Sequence, residues 1–306
     1  MPDSNVFMLE KLSLENCRDI LEALPTAVYV VDRHRRIILW NSGAEKLTGY
    51  LRHEVIGRSC MDDLLMHCDE NHACLCGVAC PLQQTMFDGE ARVAEVFLLH
   101  KDGSRVPVTV RAVPLRDQDG TIGGAVECFE RRHIFPIPDP ILCQLGRDAS
   151  LDALTGLPDR AATMVSLRAY LERYAASPIP FGVLVIALDS PDQLVFQHCH
   201  TAVSGMLHTT SQTLAGAVGP NDMIGRWSAT RFLAVVTSCS RPELARAATM
   251  LQGLVASQGM RWWGDRLQVT VSIGGTVVEP GDTMETLVSR AQAALDGGLH
   301  GQVLVV

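Results

Sequence analysis

The chain has 306 residues, 47% hydrophobic and 20% charged, with a formal net charge of −8. That length accommodates two ordinary domains, each able to bury a core. The acidic balance argues against a nucleic-acid partner, which needs a basic surface. No run approaches the roughly 18–20 apolar residues of a membrane span. Met1-Pro2-Asp3-Ser4-Asn5 lacks the basic region and apolar core of a signal peptide. A cytoplasmic protein, with no membrane and no nucleic-acid partner, is expected.

In chain order, residues 7–24 set Leu9, Leu12, Ile20, Leu21 and Leu24 near one face, which predicts an amphipathic helix ended by Pro25. It either caps the following domain or holds a dimer. Residues 27–31 and 36–40 are β-rich around Asp32-Arg33-His34-Arg35, a hairpin pattern. Short helical stretches are expected as far as residue 87. Strands follow over 93–100, 105–115 and 121–130, separated by Lys101-Asp102-Gly103-Ser104 and Asp117-Gln118-Asp119-Gly120, both strong turn sequences. This describes a helix region over 1–18 and a small α+β domain over 19–132. Pro136, Pro138 and Pro140 make 133–150 an extended linker that interrupts any helical stalk.

From residue 151 the pattern changes. Helices are expected over 159–176, 193–217 and 283–295, and another opens at the capping box Ser240-Arg241-Pro242-Glu243 and runs to about 257. Strands are expected over 181–188, 268–278 and 302–306, with a hairpin formed by 223–227 and 231–237. The alternation predicts an α/β sandwich around a central sheet over 151–306.

Ten cysteines are present, and Cys60, Cys68, Cys74, Cys76 and Cys80 crowd one short window. In a reducing compartment such a cluster points to metal or redox chemistry. Cys60, His67, Cys76 and Cys80 form a candidate metal-binding set, with Cys68 and Cys74 as alternatives; thiolates and imidazoles hold zinc or an iron–sulfur cluster. The Cys76-x-x-x-Cys80 spacing suits one turn of helix. A thiol redox pair, a haem held by His67 or His72, and inert thiols packed as small apolar groups are the other readings.

Leu24-Pro25-Thr26-Ala27-Val28, Val31-Asp32, Trp40-Asn41-Ser42-Gly43-Ala44-Glu45, Leu47-Thr48-Gly49-Tyr50, Glu54-Val55-Ile56-Gly57 and His100-Lys101-Asp102-Gly103-Ser104 together resemble a PAS sensor domain. The resemblance implies a five-stranded antiparallel sheet with helices on one face, and sensing of a small ligand, a redox state or a partner. The fold does not identify the signal.

Leu151-Asp152-Ala153-Leu154-Thr155-Gly156-Leu157-Pro158-Asp159-Arg160 resembles the opening motif of GGDEF domains, the diguanylate cyclase family. Val269-Thr270-Val271-Ser272-Ile273-Gly274-Gly275 and Ala291-Gln292-Ala293-Ala294-Leu295 resemble its late core strand and last helix, and the likeness covers 148–306. It implies an α/β sandwich of the nucleotide-cyclase type. Active members join two GTP molecules across a homodimer, using metal ions, a lysine and an acidic residue.

Carried over position by position, the first metal-binding aspartate falls on Ala187, while Asp189 keeps the next acidic position. Pro191-Asp192 replaces a phenylalanine–lysine pair; Val195 and Ser204 replace the residues that hold guanine; Cys199 replaces the glycine before His200. In the signature stretch Gly225–Phe232, Ser228 and Ala229 replace two glycines and Thr230-Arg231 the acidic pair, while Phe232 persists. Leu299 falls near the phosphate-binding lysine. The inhibitory motif reads Gly219-Pro220-Asn221-Asp222 and keeps only its aspartate.

Phosphoryl transfer needs positioned cations, and cations need carboxylates. Losing one transition-state donor costs roughly 10²–10³ in rate; losses in every subsite are not easily rescued. The expectation is a signalling protein whose PAS domain senses a ligand, metal or redox signal and whose GGDEF domain is a catalytically dead interaction module. The alternatives are a receptor for GTP or cyclic di-GMP without turnover, and a weak, divergent diguanylate cyclase. A homodimer through the N-terminal helix and PAS domain is expected, with a protein partner on the GGDEF-like domain.

Overall fold

The computed structural model describes residues 14–306 apart from 63, 78, 118, 133–149, 220, 264 and 300. The linker prolines and the first half of the expected N-terminal helix therefore lie outside the described residues. The chain divides into two compact units, each described by itself.

The first unit opens with α1 (Leu14–Ala23), followed by β1 (Ala27–Asp32) and β2 (Ile37–Trp40). Asp32 turns this hairpin: its carboxylate accepts the His34 and Arg36 amides at 2.8 and 2.9 Å. Next come α2 (Ser42–Thr48), α3 (Arg52–Val55), α4 (Pro81–Asp88), β3 (Arg92–Leu99), β4 (Arg105–Arg116) and β5 (Ile122–Arg131). The five strands form one sheet in the order β2-β1-β5-β4-β3.

Asn41 connects three of these elements. Its Oδ1 accepts the Val28 and Ala44 amides at 2.9 and 2.8 Å, capping α2, and its Nδ2 donates to the Leu21 and Thr26 carbonyls, each at 2.9 Å. A buried amide whose donors and acceptor are used this way fixes α1 against the sheet. Tyr29, Trp40 and Phe129 pack with ring centroids 5.5–6.3 Å apart at the centre of the sheet.

The helical reading of the cysteine window is corrected. Residues 60–80 are largely irregular, and α4 begins only at Pro81. Backbone bonds to β3 hold the segment: Cys68 and Phe97 exchange amide bonds of 3.0 and 2.8 Å, and the Leu99 amide donates to Leu65 at 2.6 Å. Those pairings compete with helix formation. Cys80 is the N-cap of α4, with Pro81 at its first position, where the missing amide costs nothing.

The second unit contains α5 (Arg160–Ala176), β6 (Phe181–Leu188), α6 (Pro191–His198), α7 (His200–Ala217), β7 (Met223–Arg226), β8 (Arg231–Thr237) and α8 (Arg241–Ser257). Then follow β9 (Met260–Trp262), β10 (Asp265–Leu267), β11 (Val271–Val277), α9 (Met284–Gly297) and β12 (Val303–Val305). The main sheet runs β12-β11-β6-β8-β7. The β12–β11 pair is parallel; the other pairs are antiparallel. β6 is buried along almost its full length, with α9 packed on β11. At Gly274 an added Cβ would overlap the α9 backbone at Leu295 and Ala291, so glycine permits that close approach.

Two element readings change. The helix expected over 193–217 is two helices, because Cys199 has φ 92° and ends α6 with its amide on the Val195 carbonyl. The strand expected over 268–278 shortens to β11, and the separate hairpin β9–β10 precedes it.

Candidate functional site

The signature turn joins β7 to β8. Gly225 pairs with Leu233 and Arg226 with Phe232. A Cβ at Gly225 would overlap Thr163 Oγ1 of α5. Trp227 is buried, with the Arg160 guanidinium 4.9 Å from its ring centroid. Arg226 closes the turn from within the hairpin: Nε donates to the Ser228 carbonyl at 2.8 Å and Nη2 to the Ala229 carbonyl at 2.6 Å. Nη1 reaches Asp152 Oδ1 of the opening motif at 3.3 Å. None of Ser228, Ala229 and Thr230 has a positive φ, so the turn accepts side chains where the resemblance implies glycine. The signature stretch thus keeps its mechanical attachments while Ser228 and Ala229 stand exposed.

The end of β6 forms the floor of the same region. Ala187 pairs with Arg231 on one side and Ser272 on the other, so a methyl occupies the position implied for a metal-binding carboxylate. Asp189 retains its charge-bearing group, but Thr270 Oγ1 donates to its Oδ2 and Ser272 Oγ to its Oδ1, each at 2.6 Å. Ser272 Oγ in turn accepts the Gly301 amide at 2.9 Å. Asp189 therefore ties together the ends of β6, β11 and the C-terminal loop. A cavity of about 340 Å³ lies beside it, lined by Asp189, Ser190, Gln193, Leu194 and Thr270 among others.

Other implied positions are placed as follows. Arg231 pairs with Asp296 of α9 at 3.7 Å, with both side chains more than a third exposed; such a pair contributes little. Asp192 is exposed in the first turn of α6, where a carboxylate suits the helix dipole. Leu299 is 72% exposed. Asp222 is a structural residue: its Oδ1 accepts the Thr237 amide and hydroxyl at 2.8 and 2.9 Å, and its Oδ2 accepts the Gly219 amide at 3.1 Å.

The first unit carries the cysteine window in which metal binding is expected. Among the described residues, no group of three or more His, Cys, Asp or Glu side chains is placed to hold a metal ion. Cys60, Cys76 and Cys80 are near enough to one another to interact electrostatically, and His67 is buried. Burial pushes the Cys60 and Cys76 thiols up to about 12. The alternatives Cys68 and Cys74 face each other across an isolated antiparallel bridge; Cys68 is buried and Cys74 exposed.

A further pair was not singled out in the sequence. Tyr29 and Glu127 are register partners on β1 and β5, 2% and 1% exposed. Their side chains share a hydrogen bond, and Glu127 Oε1 has no hydrogen-bond partner. Burial pushes the Glu127 carboxyl up to about 7, with the Tyr29 hydrogen bond opposing that shift. The sequence carried a signal for this: Ala125, Glu127 and Phe129 alternate at buried positions of β5, which puts a carboxyl on the apolar side of a two-residue period.

Comparison with known proteins agrees with this architecture. Residues 15–129 match the PAS fold family, and residues 149–298 match the family described as diguanylate cyclase, GGDEF domain. The probable diguanylate cyclase DgcE of Escherichia coli (strain K12) is 23% identical over 290 residues, 92% of this chain and 25% of DgcE. The diguanylate cyclase DgcZ of the same organism is 22% identical over 150 residues, 49% of this chain and 50% of DgcZ. The chain thus spans a quarter to a half of these relatives. Among solved structures, diguanylate cyclase SiaD of Pseudomonas aeruginosa, in complex with its activator SiaC, superposes with a TM-score of 0.51 at 24% identity, covering 54% of this chain and 65% of SiaD. The GGDEF domain of DgcB from Caulobacter crescentus, in complex with c-di-GMP, gives a TM-score of 0.50 at 19% identity, covering 52% of this chain and 96% of that domain. These likenesses establish the fold. The chain belongs to the PAS–GGDEF signalling proteins related to the diguanylate cyclases.

Proposed function

We propose that this protein is a signalling regulator in which the PAS domain senses and the GGDEF domain engages a protein partner without cyclising GTP. One observation carries the reading. Ala187 lies between Arg231 and Ser272, and the one acidic side chain kept at the end of β6, Asp189, is held on both oxygens by hydroxyl groups. A cation recruited there would compete with two charge-assisted hydrogen bonds for the Asp189 oxygens and would find no second carboxylate at position 187. The scaffold around it is intact, from the Arg226 clamp to the buried β6, which fits a fold retained for docking. The activator complex of SiaD supports protein engagement as a use for this domain.

The deciding assay incubates purified full chain with GTP and magnesium and separates the products. No cyclic di-GMP is expected; product formation that depends on Asp189 would establish the divergent-cyclase reading instead. We assign a homodimer to α1 and the PAS domain, supported by the 50% exposure of Ile20 on α1. Light scattering tests it: a monomer mass at micromolar protein overturns the assignment.

A further inference from the structure

The cysteine window holds a feature that metal chemistry does not explain. Cys74 is exposed, whereas Cys60, Cys68 and Cys80 are buried and Cys76 is half-buried. The backbone on either side of Cys74 is fixed. The Asp69 amide donates to the Ala73 carbonyl at 3.2 Å, and the Leu75 amide donates to the His67 carbonyl at 2.8 Å. Those two bonds bracket the Cys68–Cys74 bridge, while Cys68 is locked on its other side to Phe97. The Cys74 thiol is thus presented to solvent from a pinned backbone. The Cys76 thiol shares a hydrogen bond with it. Cys76 lies just beyond the bracket and is followed by Gly77 at φ 148°, a backbone position where a small readjustment meets little resistance.

We propose that Cys74 and Cys76 form a peroxide-sensitive dithiol that closes to a disulfide. Cys74 reacts first because its sulfur is the accessible one. Its thiolate attacks a hydroperoxide: an S–O bond forms, the O–O bond breaks, and the departing alkoxide takes a proton, leaving a sulfenic acid. The Cys76 sulfur then attacks the Cys74 sulfur. The S–S bond forms, the S–O bond breaks, and the hydroxyl leaves as water with the Cys76 proton. Two thiols lose two electrons and two protons, and one hydroperoxide becomes an alcohol and water. Cys76, half-buried and in hydrogen-bond contact two residues away, is placed to act as the resolving thiol once it gives up its proton. The closure lies next to the bonds that hold the segment on β3, so the oxidised and reduced chains differ where the window joins the sheet. This deepens the sensing role proposed for the first domain. It is read from thiols and is independent of whether the second domain makes product from GTP.

The experiment uses the full reduced chain in a Cys199→Ser background, which removes another exposed thiol. The chain is treated with hydrogen peroxide, unreacted thiols are blocked with maleimide, and the intact mass is read. The expected result is loss of two blockable thiols, reversed by dithiothreitol. Cys74→Ser abolishes that loss, Cys68→Ser leaves it, and Cys76→Ser yields a Cys74 sulfenic acid trapped by dimedone. Cys76→Ala repeats that arm should the serine variant fail to fold. A disulfide that persists in both Cys76 variants, or a wild-type chain that closes no pair while Cys74 is oxidised, overturns the proposal.

Discussion

Arg226, in the strand that leads into the signature turn, reaches Asp152 of the opening motif, with Nη1 and Oδ1 3.3 Å apart. Two stretches separated by more than seventy residues in the sequence are thereby joined, and the same guanidinium also holds the carbonyls of Ser228 and Ala229. The Asp152 carboxylate works against its partial burial, yet the Thr155 hydrogen bonds and the Arg226 cation hold it below the usual carboxylate range. Arg226→Gln should therefore destabilise the chain by about 1–3 kcal/mol, the range for losing hydrogen bonds to a charged group. Urea denaturation followed by circular dichroism measures this. A change below about 0.5 kcal/mol would mean that the clamp is incidental.

The same scaffold predicts what repair of the turn will do. Replacing Ser228→Gly, Ala229→Gly, Thr230→Asp and Arg231→Glu together restores the implied signature, and the hairpin has room for it because residues 228 and 229 are exposed. Ala187 still offers no ligand and Asp189 still bonds Thr270 and Ser272. The fourfold variant should fold and yield no cyclic di-GMP from GTP and magnesium. Product well above the unsubstituted chain would show that the turn alone had been limiting.

Glu127 gives a prediction in pH. Its ordinary value is 4.5, and burial raises it to about 7 in the folded chain. The folded state thus keeps a proton that the unfolded state releases across that window. Where the native state binds more protons, stability falls as pH rises. The contribution is fully present below the unfolded value, declines toward about 7 and is flat above it, at no more than about 1.4 kcal/mol per pH unit. Tyr29, Cys60 and Cys80 lie near this carboxyl and Cys128 follows it on the opposite face of β5, and burial also pushes those three thiols up, so they stay neutral there. Glu127→Gln keeps the shape and removes the titration. Melting at about pH 5 and pH 8 should show the wild type losing stability relative to the variant at the higher pH; parallel profiles would refute it.

What was legible in the sequence was local. The Asp32 turn, the Ser240 capping box and the continuous apolar run of β6 are written in neighbouring residues, and so the strands and most helices could be placed. The path of residues 60–80 could not, because the bonds that decide it run to Phe97 and Leu99 on β3. Spacing such as Cys76-x-x-x-Cys80 suggests a helix only when nothing else claims the backbone. The residues at Ala187 and in the signature turn could be compared with the family motif directly, whereas the hydroxyl bonds to Asp189 come from Thr270 and Ser272 and needed the fold.

Cys199 offers the last test. It sits between α6 and α7 at φ 92° and ψ 167°, a region that is essentially glycine-only and costs a side-chain-bearing residue about 1–3 kcal/mol. The side chain is exposed, so its removal forfeits little packing. The nearby Ala202 amide lowers the thiol pKa from its usual value, but the side chain makes no capping hydrogen bond that would offset the strain. Glycine in turn adds entropy to the unfolded chain, of the order of 1 kcal/mol. The strain is the larger of these, so Cys199→Gly should stabilise the second unit by up to about 1 kcal/mol, whereas Cys199→Val should destabilise it, because a β-branched residue tolerates positive φ worst. Thermal melts of the two variants against the parent decide the matter: if glycine and valine shift the midpoint in the same direction, the break between the helices is not held against backbone strain.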